Sequence, residues 1–153
     1  VKKKALILIA EENDSDFALL EKNLQRFEHP FDIFRFRDGQ NLLSTLRKLG
    51  EKDTVYSRPY LLFLDIQLPP EGGMAILETL KSDPQLKKIP VILLLTSESE
   101  QVLEKCYQRG CGFCLRKPED SERFSEVIRR VSDFLSVVEL PELAVLDIAG
   151  TDL

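Results

Sequence analysis

The sequence predicts an α/β fold: five βα units wound on both sides of one parallel sheet. Two observations carry this. Uninterrupted apolar runs, Ala5–Ala10, Tyr60–Leu64 and Val91–Leu95, each stop at an acid or a hydroxyl residue. Such runs are the pattern of strands buried on both faces. Between them lie segments whose apolar residues recur at helical spacing, the stripe of a helix packed on a sheet. Strands alternating with helices imply parallel pairing and right-handed crossovers.

Each element has its own signals. The first strand ends in Glu11-Glu12, and Asn13 with Asp14 is placed to cap a helix striped by Phe17, Leu20, Leu24 and Phe27. His29-Pro30 closes that helix. Residues 31–36 alternate as a more exposed strand, which suits a sheet edge. Asp38-Gly39 reads as a turn, and Leu42, Leu43, Leu46 and Leu49 line a second helix stopping at Gly50. Residues 51–59 read as a polar loop. The central strand then runs into Asp65, and Pro69-Pro70-Glu71-Gly72-Gly73 leads to a helix carrying Met74, Ile76, Leu77 and Leu80. Asp83-Pro84 ends it, and Pro90 opens the third apolar run. Thr96, Ser97 and Glu98 follow, with Ser97 or Ser99 expected to cap a helix reaching Arg109-Gly110. Residues 112–115 form a short strand that delivers Arg116-Lys117-Pro118. The last helix is expected from about Asp120 to Val138, with Phe124, Val127, Ile128, Val131, Phe134 and Leu135 on one side, and Pro141 breaks the chain after it. The expected division is a domain over 1–138 and a mildly apolar C-terminal extension over 139–153. Five such strands fit the flavodoxin-like order 2-1-3-4-5, which sets the ends of strands 1 and 3 side by side.

Composition narrows the function. At 153 residues the chain is one domain by length, large enough to bury a core without staples. No run approaches the ~18 apolar residues that a membrane span requires. The apolar segment after Val-Lys-Lys-Lys is too short for a secretory signal, so a cytoplasmic location is expected. The net charge of −5, with scattered Lys and Arg, argues against a nucleic-acid surface. Cys106, Cys111 and Cys114 match part of an iron–sulfur spacing, but the fourth cysteine is missing. Three packed, reduced thiols are the expectation.

The predicted topology brings Glu11, Glu12, Asp65, Thr96 and Lys117 to one edge of the sheet. Two carboxylates ~4 Å apart repel by roughly 4 kcal/mol at an effective dielectric of ~20, so the cluster must protonate or hold a cation. An all-oxygen site with few protein ligands suits Mg2+, and the Gln67 carbonyl is placed to add an oxygen. Lys117 suits a phosphate oxygen. Read from the residues alone, the cluster is either a salt-bridge knot that stabilises loops or a phosphoryl-transfer site with Asp65 as nucleophile. A haloacid-dehalogenase-type phosphatase needs a second Asp two residues after the nucleophile, and Gln67 stands there. A flavin site is disfavoured by an acidic rather than hydroxyl-rich first loop.

Four segments in order, Ile7-Leu8-Ile9-Ala10-Glu11-Glu12-Asn13-Asp14-Ser15-Asp16, Leu62-Phe63-Leu64-Asp65-Ile66-Gln67-Leu68-Pro69, Ile89-Pro90-Val91-Ile92-Leu93-Leu94-Leu95-Thr96-Ser97 and Leu115-Arg116-Lys117-Pro118, resemble the receiver domain of two-component response regulators. The resemblance covers residues 4–135. It implies phosphorylation of Asp65 by a sensor histidine kinase, Mg2+ held by Glu11, Glu12, Asp65 and the Gln67 carbonyl, and Lys117 and Thr96 near the phosphoryl group. It also implies a cis Lys117–Pro118 peptide. At most, the activity is self-catalysed phosphotransfer and autodephosphorylation. Lys81-Ser82-Asp83-Pro84 and the tail Phe134-Leu135-Ser136-Val137-Val138 look like the small stand-alone regulators that partner bacterial phytochromes, which implies output by protein contact to a target the sequence does not name.

Three positions depart from that pattern. Glu12 stands where Asp is usual, Leu95 where a Thr or Ser is usual, and Cys114 where an aromatic is usual. Leu95 has no donor for a phosphate, so weak switching is expected unless a bulge re-aims Thr96. The alternative function is therefore a receiver-like interaction module with impaired switching. Val137, Val138 and Leu140, followed by Leu143, Val145, Leu146 and Ile148, predict a homodimer through strand 5, the last helix and the tail. The competing expectation is that this tail packs on its own domain.

Overall fold

The computed structural model describes residues 4–25, 31–48 and 57–144. The expected helix stops at His29-Pro30 and Gly50, and the tail beyond 144 with Val145, Leu146 and Ile148, lie outside these residues.

The strands β1 (Leu6–Ala10), β2 (Asp32–Phe36), β3 (Ser57–Asp65), β4 (Val91–Leu95) and β5 (Phe113–Arg116) alternate with helices. The helices are α1 (Asp14–Leu24), α2 (Gly39–Arg47), α3 (Gly73–Ser82), α4 (Glu100–Gln108) and α5 (Ser121–Leu135). The sheet order is β2-β1-β3-β4-β5, all parallel, as the apolar runs predict. Each buried run divides its side chains between two cores. Leu6, Leu8, Leu62, Leu64, Leu93 and Leu95 pack with Leu42 and Leu46 of α2, Leu77 and Leu80 of α3 and Cys106 of α4. Ile7, Ile9, Leu61, Phe63, Ile92 and Leu94 pack with Leu20 and Leu24 of α1 and with Phe124 and Ile128 of α5. Period-two alternation along a strand covered on both faces has this result.

Helix starts follow their caps. Asn13, Asp38, Ser99 and Asp120 each accept a backbone N–H from the first turn of the helix that follows. Asp38-Gly39 is thus a cap and first helical residue rather than a free turn. The last helix ends at Leu135, three residues short of the expected Val138. β5 is an exposed edge strand, and β2 is half-buried at the opposite edge.

One element has no sequence signal. Residues 57–59, read above as loop, are the start of β3, because a short strand β6 (Glu142–Ala144) pairs antiparallel with them. Ser57 Oγ also donates to Glu142 Oε2 at 3.0 Å. Arg58 is buried there; its Nε donates to the Lys4 carbonyl at 2.9 Å and its Nη2 to Asp32 at 2.6 Å. Val138 and Leu140 pack against the α1/α5 core and Leu143 against the other core. The described part of the tail therefore packs on its own domain.

The three cysteines are free, with Cys106 and Cys111 buried and Cys114 partly so. The Cys111 and Cys114 sulfurs lie 3.5 Å apart, and burial raises all three thiol pKa values.

Candidate functional site

The site forms where β1, β3 and β5 end. Glu11 follows the last residue of β1, and its N–H donates to the Phe36 carbonyl at 3.0 Å, so β2 fixes where the chain turns. Its side chain is fully buried. Oε2 accepts the Asn13 N–H at 3.2 Å, while Oε1 takes the Lys117 ammonium. Asp65 ends β3 and is 6% exposed. Its Oδ1 accepts the Gln67 N–H at 3.0 Å, and its Oδ2 lies 3.6 Å from Lys117 Nζ. Lys117 follows β5, and its backbone N–H donates to the Leu95 carbonyl at 2.7 Å. The same ammonium reaches Asp16 Oδ2 at 3.0 Å.

Three acids thus surround one cation. Burial, and Asp65 alongside, push the Glu11 carboxyl up to about 7 against the lowering pull of Lys117. Burial pulls the Lys117 ammonium down, but the Glu11, Asp65 and Asp16 carboxylates more than reverse it, so the group stays charged. The arrangement is an acid cluster that needs positive charge.

Asp16 is the residue that sequence reasoning missed. It sits in the first turn of α1, and its N–H donates to the Asn13 cap at 2.9 Å. That spacing after a cap places it at a helix N-terminus, which in this topology overhangs the same edge; the signal was present and unread.

The structure separates the expected acid pair. Glu11 is buried and engaged, whereas Glu12 is exposed and its carboxylate makes no hydrogen bond or ion pair among the described residues. Consecutive residues leaving a strand point opposite ways. Gln67 is exposed in the turn after β3, with Nε2 donating to Thr96 Oγ1 at 3.5 Å. Thr96 itself is latched to Glu98, whose Oε2 accepts the Thr96 N–H at 2.6 Å. No bulge re-aims it: β4 pairs in unbroken register with β5 through Leu95, and Leu95 is fully buried in the core. Cys114, on β5, donates its N–H to the Tyr107 hydroxyl at 3.2 Å. The cis peptide among the described residues is Pro69–Pro70, not Lys117–Pro118.

A hard divalent cation fits this donor set. The carboxylates of Glu11 and Asp65, the unpaired Glu12 and the Gln67 carbonyl are all oxygen donors, and an ionised buried Glu11 is stabilised by any nearby cation. Among the described residues no three acidic, histidine or cysteine side chains already cage a metal. An ion that keeps several waters is what so few oxygens suit.

Known proteins are similar to this chain in sequence and fold. The sequence model described as "Response regulator receiver domain" matches residues 7–129. Response regulator Rcp1 of Synechocystis sp. is 29% identical over 137 residues, covering 89% of this chain and 92% of Rcp1. The phosphorylated cyanobacterial phytochrome response regulator RcpA superposes with a TM-score of 0.80 at 31% identity, over 92% of this chain and 99% of that one. The Mn(2+)-bound form of Rcp1 gives 0.79 at 29% identity, over 89% and 98%. Among the described residues no helix is long and apolar enough to cross a membrane. With its strand order, its Asp65–Lys117 pair and a family match from Ile7 to Arg129, the chain belongs to the response regulator receiver domain family.

Proposed function

We propose that this response regulator carries its signal as an aspartyl phosphate on Asp65, received in the cytoplasm from a sensor histidine kinase of phytochrome type. The observation that carries this is the Asp65 carboxylate held 3.6 Å from the Lys117 ammonium at the sheet edge. The Asp65 carboxylate attacks the phosphorus of a phosphohistidine; the new O–P bond forms as the P–N bond breaks, and imidazole leaves. Lys117 stands beside Asp65 to offset charge on the transferred group, and the Gln67 N–H orients the nucleophile. Glu11, Glu12, Asp65 and the Gln67 carbonyl would hold Mg2+, which when bound supplies charge neutralisation for the phosphoryl oxygens. The phytochrome reading is supported by the likeness to Rcp1 and RcpA.

A small acyl phosphate with Mg2+ should add one phosphoryl group to Asp65, read by mass spectrometry. Asp65→Asn should lose it by at least about a hundredfold, the scale of removing a nucleophile. Undiminished labelling would move the nucleophile elsewhere.

A second reading is favoured by Leu95. Full burial of an apolar side chain at the end of β4 leaves no hydroxyl there to follow the phosphate, and Thr96 is held by Glu98. A ligand shifts a population only by its differential affinity for the two states. The protein then switches weakly. A phosphate mimic should move the amides of Ile66, Gln67 and Thr96 but scarcely those of β5 and α4. Leu95→Thr should extend the change to Cys114; a wild-type response already reaching Cys114 would end this reading.

The homodimer is supported by Phe113 on β5, Phe134 in the last turn of α5 and Val137 after it, 53%, 48% and 76% exposed. The two rings stack edge-on, with centroids 6.1 Å apart. Phe134→Glu should shift sedimentation at tens of micromolar from dimer to monomer. A wild-type monomer at that concentration would remove the dimer.

A further inference from the structure

We propose that Arg35 is the positioning residue of the acidic loop, setting how well Glu11 and Glu12 bind a divalent cation. The inference rests on the metal-binding reading above. Arg35 sits on β2 in register with Ile9, and its guanidinium lies over the Phe17 ring of α1, 4.5 Å from the centroid. From there Nε donates to the Glu11 carbonyl at 3.0 Å and Nη2 to the Glu12 carbonyl at 3.1 Å. The side chain is largely buried. A planar fork with donors in fixed directions can hold two successive carbonyls at once; an ammonium on a flexible stem cannot hold both in fixed geometry.

The same fork removes a competitor. Its Nη2 also meets Asp14 Oδ1 at 2.8 Å, and Arg37 takes that oxygen at 2.7 Å. Lys117 engages Glu11 and Asp16. Glu12 is left as the loop acid whose carboxylate has no partner among the described residues. Pinning the Glu11 and Glu12 carbonyls fixes the direction in which that longer side chain leaves the backbone. Arg35 touches no reacting atom in this arrangement; it acts through the loop.

Charge and positioning make opposite predictions. If Arg35 acted only as a positive charge near the site, removing it would tighten cation binding. If it positions the loop, removing it loosens binding, by about tenfold on the scale of other groups that orient metal ligands. Arg35→Met keeps an apolar stem over Phe17 and removes the fork; Arg35→Lys keeps the charge and loses the paired donors. Free Mn2+ is titrated by electron paramagnetic resonance, with Mg2+ displacement, against each folded variant. The expected result is about tenfold weaker Mn2+ binding in Arg35→Met, and weakening of several-fold in Arg35→Lys. The phosphorylation rate at saturating Mg2+ should stay within about twofold. Unchanged or tighter binding in either variant overturns the proposal, and Arg35→Lys decides it alone if Arg35→Met does not fold. A wild-type protein that binds neither ion overturns the metal reading itself, a separate outcome.

Discussion

Lys117→Met should destabilise the chelated protein by about 3 kcal/mol at pH 8, the scale of stripping one partner from a buried ion cluster. The ammonium is shared by Glu11, Asp16 and Asp65, and among the described residues no other cationic side chain pairs with the Glu11 carboxylate. Without it three carboxylates face one another. The deficit should depend on pH with a definite sign. The Glu11 carboxyl already stands at about 7 when folded, against an ordinary 4.5. The folded state therefore holds a proton that the unfolded state has lost between those values, and stability falls as pH rises through that window. Removing Lys117 raises the folded value further, so the deficit should widen from pH 5.5 to pH 8. A divalent cation should restore more stability to the variant than to the wild type, since an ion binding only the folded state stabilises it by linkage. Urea midpoints at two pH values, with chelator or with Mg2+, test this. Equal deficits at both pH values, with no extra response to the ion, would mean that the acids are not crowded as the geometry says.

Gly73→Ala should cost about 3 kcal/mol, the upper range for forcing a methyl into a packed site, although helix propensity alone predicts a gain of up to about 1 kcal/mol. A Cβ on Gly73 would meet the Asp65 carbonyl oxygen at 2.4 Å and the Ile66 Cα at 2.9 Å, both backbone atoms. Gly73 also donates its N–H to the Ile66 carbonyl at 2.7 Å, so the start of α3 is tied to the strand end it would have to leave. The first effect of relaxation is a displaced Asp65. Labelling from an acyl phosphate should fall more than stability at equal temperature would explain. Gly39→Ala is the control: its Cβ meets the Ile76 Cδ1 at 2.2 Å, the end of a flexible side chain that can turn away. It should cost about 1 kcal/mol or less. If the two variants unfold at the same urea concentration, backbone crowding at Gly73 is not what the chain avoids.

Much of this site was readable from residue order. Apolar runs of five or more with abrupt polar ends specify buried parallel strands, and in a doubly wound sheet those ends share one edge. Asp65, Glu11 and Lys117 therefore came together from pattern alone. What stayed hidden was decided by distant partners. Ser57, Arg58 and Pro59 carry no strand signal and become one because Glu142–Ala144 lies beside them. Arg35 looked like any polar residue on an edge strand until α1 placed Phe17 under it. Glu11 and Glu12 are one residue apart and chemically alike, yet the end of β1 buries one and exposes the other. Strand alternation sends the two opposite ways, but which of them is buried is decided by the neighbouring strands.

The pairing of β6 with β3 also makes the two ends of the central strand unequal. The strand that bears Asp65 at one end needs, at its other end, a partner 85 positions later in the chain, as the Ser57–Glu142 contact shows. Three residues of backbone pairing are also few enough to open well below the cost of global unfolding. The amino end of the central strand is thus expected to fray first, while the Asp65 end, held by β1 and β4, stays formed.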